Sequence, residues 1–107
     1  MFIGQAARDE VRPRLNASVA SVLVDGKSIA AGDALLAALR GMEAHRYHHS
    51  HPTMSYRVQL QTPEGPLELT LRRDSTEPHE YWVYYRGFNA TEANDVGAVF
   101  TDALDGH

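Results

Sequence analysis

The sequence predicts an α+β fold, a two-layer sandwich of antiparallel sheet and helix. Two hydrophobic periods and one turn signal carry that expectation. Leu35, Leu36, Leu39 and Met42 recur at the spacing of a single helix face. From Met54 the period becomes two: Tyr56, Val58 and Leu60, then Leu67, Leu69 and Leu71, alternate with polar residues. Asp25-Gly26, set between Val22-Leu23-Val24 and Lys27-Ser28-Ile29, has the chemistry of a tight hairpin turn.

Taken in order, residues 1–17 mix charges with Pro13 and sustain no period, which reads as a weakly ordered N-terminal arm or short helix. The short hairpin about Asp25-Gly26 follows, too small to stand without tertiary support. The main helix starts near Asp33, whose carboxylate suits a helix start, and is expected to end between Ala44 and His49, because Pro52 disfavours helical geometry at His51. Two half-buried strands come next, joined at Pro63-Glu64-Gly65-Pro66. After Asp74 to His79, the segment Glu80-Tyr81-Trp82-Val83-Tyr84-Tyr85-Arg86 completes an antiparallel three-strand meander. In the tail, Val96, Val99, Phe100, Ala103 and Leu104 follow helical spacing and predict a short C-terminal helix over part of 91–104, although Gly97 and the β-branched residues oppose it. The 107 residues are enough for one domain.

Composition narrows the function classes. Ten basic against fourteen acidic residues leave a formal charge of −4, without the basic stripe of a nucleic-acid binder. The helix, meander and second helix follow the element order of double-stranded RNA-binding domains, but Glu92, Asp95, Asp102 and Asp105 in the tail would repel a phosphate backbone. No cysteine is present, so thiolate metal sites and cysteine nucleophiles are excluded. The N-terminus has no secretory pattern and no apolar run approaches a bilayer span, so the expected address is cytoplasmic, without membrane contact. Asn16-Ala17-Ser18 and Asn89-Ala90-Thr91 are then chance matches to the glycosylation pattern.

Two segments carry candidate chemistry. In His45-Arg46-Tyr47-His48-His49-Ser50-His51, a continuing helix would place His45 and His49 one turn apart, with His51 folding back as a third metal ligand. The plainer reading is a polar helix end complementing the negative dipole terminus. Glu68, Asp74, Glu77 and Glu80 are general acid–base material for a small enzyme, but no spacing selects a pair and no nucleophile or phosphate motif accompanies them. In the aromatic strand, Tyr81, Val83 and Tyr85 face one way and Trp82 and Tyr84 the other, with Arg86 and Phe88 beyond. Trp82, Tyr84, Arg86 and Phe88 are thus the candidate protein interface, because Trp, Tyr and Arg are favoured at interface hot spots. A meander also leaves edge strands, which invite pairing unless blunted. The expectation is a small non-catalytic binding or regulatory module, without a cofactor, that contacts a protein partner or a second copy. A metal-responsive domain and a small enzyme are the alternatives.

Overall fold

The computed structural model describes residues 11–43, 50–85 and 97–107. Residues 11–16 are helical (α1), followed by β1 (Ser21–Val24), β2 (Lys27–Ser28), α2 (Gly32–Arg40), β3 (Pro52–Thr62), β4 (Gly65–Asp74), β5 (Glu80–Tyr85) and β6 (Gly97–Phe100). The six strands form one antiparallel sheet in the order β2-β1-β3-β4-β5-β6. From β3 onward each strand lies beside its predecessor in sequence. The short hairpin joins the same sheet through β1, which pairs with β3 from Ser21↔Gln61 to Val24↔Val58.

Local chemistry accounts for most of these elements. Asp25 at φ 51° and Gly26 at φ 83° supply the two positive φ angles of a two-residue hairpin loop, and Val24 faces Lys27 across it. Asp25 also accepts the Arg57 N–H on Oδ1 at 2.8 Å, which fastens the loop to β3. Period-two patterning puts Tyr56, Val58 and Leu60 on the same side as Leu67, Leu69 and Leu71, all 2 % exposed or less. They share one apolar cluster with Leu35, Leu36 and Leu39 of α2 and with Tyr81, Val83, Val99 and Leu104.

Three expectations need correction. The described part of the tail is not helical: Gly97–Phe100 is a sixth strand, registered on β5 from Val83↔Gly97 to Glu80↔Phe100. The helical spacing there had no face to serve, because alternation sends Val99 into the core and leaves Phe100 64 % exposed. The main helix stops at Arg40, short of 44–49, since Gly41 ends it and the next residues are claimed elsewhere. Met42 O accepts Arg12 Nη2 at 2.7 Å, and Glu43 exchanges two backbone hydrogen bonds with Ala98 at 3.1 and 2.8 Å. Asp33 is not the cap: Ala31 occupies that position without a side-chain bond, and Asp33 lies in the first turn. In the N-terminal segment read as an arm or short helix, residues 11–16 are helical, with Val11 and Leu15 fully buried one turn apart.

Candidate functional site

The two faces of β5 have different fates. Tyr81 and Val83 enter the main core, while Trp82 and Tyr84, on the opposite face, are outside that cluster yet only 3 % and 1 % exposed. The Trp82 indole N–H donates to Asp74 Oδ1 at 3.0 Å, and the Arg72 guanidinium lies 5.9 Å from the Tyr84 ring centroid. The Trp82/Tyr84 face is therefore covered, and this corrects its reading as an open interface. The two remaining members of that candidate set, Arg86 and Phe88, lie outside the described residues.

Asp74 organises this buried end. Its Oδ1 accepts from Ser50 Oγ at 2.6 Å as well as from Trp82; its Oδ2 accepts from Thr76 N, Thr76 Oγ1 and Glu77 N at 2.9–3.0 Å. Burial alone would raise the carboxyl pKa, but the donors from Ser50, Thr76, Trp82 and Glu77 together hold it well below the usual carboxylate range. A carboxylate so fully engaged is an anchor: it ties Ser50, the turn after β4 and the β5 tryptophan together. Sequence spacing could not single it out, because its donors come from three separate segments.

On the core-facing side, Arg73 joins two tyrosines. Its Nε and Nη2 donate to Tyr81 Oη at 3.3 and 3.1 Å, and Nη2 also donates to Tyr56 Oη at 3.2 Å. These bonds put the cation at the phenol rims, so the ring-centroid distances of 5.7 and 6.0 Å contribute less than the hydrogen bonds. Tyr56 in turn donates to the His107 carbonyl at 2.9 Å, and burial, partly offset by Arg73, raises its phenol pKa. The terminal turn is fastened here: Leu104 is fully buried, and His79 Nε2 sits 3.0 Å from Asp105 Oδ2.

Of the three metal candidates, the structure describes His51 alone. His45 and His49 lie outside the described residues. His51 is exposed, with its backbone paired to Ser75. Among the described residues no group of three His, Cys, Asp or Glu converges. A groove of about 250 Å³ lies between the β1–β2 hairpin and the start of α2, lined by Val22, Ser28, Ile29, Gly32, Asp33 and Leu36 among others.

The exposed outer edge of β6 is the feature that sequence reasoning missed. Because Ala98 exchanges both backbone hydrogen bonds with Glu43, its N–H and C=O point away from β5. Antiparallel ladders alternate, so the N–H and C=O of Phe100 point outward too, while Thr101 N turns inward to His79 O at 2.9 Å. Among the described residues neither outward group of Phe100 has a partner. Its ring is 64 % exposed, and Met54 at 50 % is the other large exposed apolar side chain among the described residues. The signal was present as a single apolar residue at the end of a strand, but it was assigned to the buried stripe of a helix.

Comparisons with family models, curated proteins and solved structures find no match for this chain. Among the described residues no helix is long and apolar enough to cross a membrane.

Proposed function

We propose that this chain is a small non-catalytic binding module that acts through contact with another protein, and that the contact is centred on the outer edge of β6. One observation carries the reading: Phe100 presents an exposed ring and an outward N–H and C=O at the same point. Exposed backbone at a sheet edge is a template for pairing with another chain. The charges of buried Asp74 and half-buried Arg73 are consistent with the same reading, because both are engaged in holding the fold. We further read the framework as a two-layer sandwich in which α2 covers one face of the sheet, a rigid support for such an edge. The shared cluster of Leu35, Leu36 and Leu39 with the strand leucines supports this arrangement. The proposed address is the cytoplasm.

Site-specific photo-crosslinking tests the proposal. A photoreactive phenylalanine analogue is placed at position 100 and, as a control, at Gln61, which is exposed on β3. Adducts to another polypeptide should form from position 100 and not from position 61. Equal labelling from both positions, or none from position 100, would overturn the reading.

A further inference from the structure

We infer that the β6 edge takes an extended segment carrying an apolar residue flanked by lysine or arginine. The inference rests on the contact reading above and specifies its partner. The segment must be extended because the open groups at Phe100 are those of a β-strand, and an antiparallel neighbour satisfies both with one residue. The chain itself makes this kind of pair one step away, where Glu43 bridges Ala98. Apolar character follows from the exposed Phe100 ring.

The basic requirement comes from the surrounding charge. Asp102 and Asp105 follow Phe100 in the terminal turn, and Glu77 lies in the turn whose carbonyl accepts the N–H of Glu80, the residue registered on Phe100. All three acidic residues are exposed. Of the described basic groups near this end, His79 sits against Asp105 and Arg73 is hydrogen-bonded to two phenols. A second copy would bring the same acids face to face, with a formal charge of −4 on each chain. A segment with flanking cations would meet complementary charge. Since Glu43 already occupies the edge at Ala98, the pairing is short, and the contact belongs to the weak, transient class.

A fluorescein-labelled peptide, Lys-Val-Phe-Val-Arg with blocked ends, is titrated against the intact protein, beside the acidic probe Glu-Val-Phe-Val-Glu. The basic peptide should bind saturably and more weakly as salt rises, and the acidic one should not bind. Phe100→Asp should weaken binding at least about tenfold. The double variant Glu77→Gln/Asp102→Gln should weaken it about threefold with an unchanged melting temperature, since both side chains are exposed. Phe100→Ser repeats the measurement if aspartate disturbs the ladder. Equal binding of the two peptides, or undiminished binding by both Phe100 variants, would overturn the inference. Sedimentation separates this result from failure of the broader reading. A concentration-dependent dimer abolished by Phe100→Asp would make a second copy the occupant, overturning the peptide partner while leaving the edge as a protein contact. A monomer throughout supports the peptide.

Discussion

At the scale of single residues, Asp74 and Trp82 show how burial alters roles that residue type suggests. Asp74 is 2 % exposed and receives five hydrogen bonds, so removing its charge leaves several donors poorly matched. Asp74→Asn should cost about 2–4 kcal/mol in denaturant unfolding. The pH dependence has a definite sign. The folded pKa lies below the ordinary value of 3.8, so this stabilisation is fully present above that value and is lost as pH falls through it toward the folded pKa. Wild-type stability should therefore decline more steeply below pH 3.8 than that of Asp74→Asn. Parallel acid curves for the two proteins would contradict the anchor role. Trp82→Ala should cost about 3–5 kcal/mol of folding free energy, because it removes a buried ring and one donor to Asp74. A folded Trp82→Ala protein of wild-type stability would restore the indole as a surface group.

At the scale of elements, β6 shows why pattern alone misled. Four residues with a β-branched centre and a glycine look weak in isolation, and their spacing mimics a helix stripe. They are a strand because β5 offers an open edge on one side and Glu43 closes part of the other. The glycine is required for that closure. A Cβ at Gly97 would lie 2.5 Å from Glu43 O and 2.7 Å from Met42 Cγ. Gly97→Ala should therefore destabilise by about 1–3 kcal/mol, since the backbone oxygen has to move. A thermal shift within the range of an ordinary surface substitution would show that the chain after α2 is free to retreat. The same crossing explains the early end of α2. Its alanines and leucines favour continuation, but Gly41 breaks the run and tertiary hydrogen bonds to Met42 and Glu43 outbid another helical turn.

At the scale of the whole molecule, one apolar cluster joins α1, α2 and the sheet, and arginines tie the helices to it. Arg40 donates to the carbonyls of Leu15 and Ala17 at 2.6 and 3.2 Å, closing the end of α1, and Arg14 donates to Pro66 O at 3.0 Å. Part of the chain's basic content is thus spent on backbone carbonyls. Leu39 and Leu69 are 1 % and 0 % exposed in the shared core, so alanine at either position should cost about 2–5 kcal/mol by chemical denaturation. Changes below about 0.5 kcal/mol would place them at the surface instead.

The α+β class, the Asp25-Gly26 hairpin, the leucine face of α2 and the alternating strands β3 and β4 were legible in the residues themselves. Each depends on interactions a few positions apart: a turn needing positive φ, a helical face at three- and four-residue spacing, a pleat at two. The identity of the tail, the end of α2, the cover over Trp82 and the open edge at Phe100 were not. Each depends on a neighbour distant in the chain, as Glu43 meets Ala98 across 55 positions and Ser50 meets Asp74 across 24. Local propensity is decided along the sequence, whereas edges and buried anchors exist only after strands have been placed side by side. The candidate contact is an edge, and so it became visible only when β6 took its place beside β5.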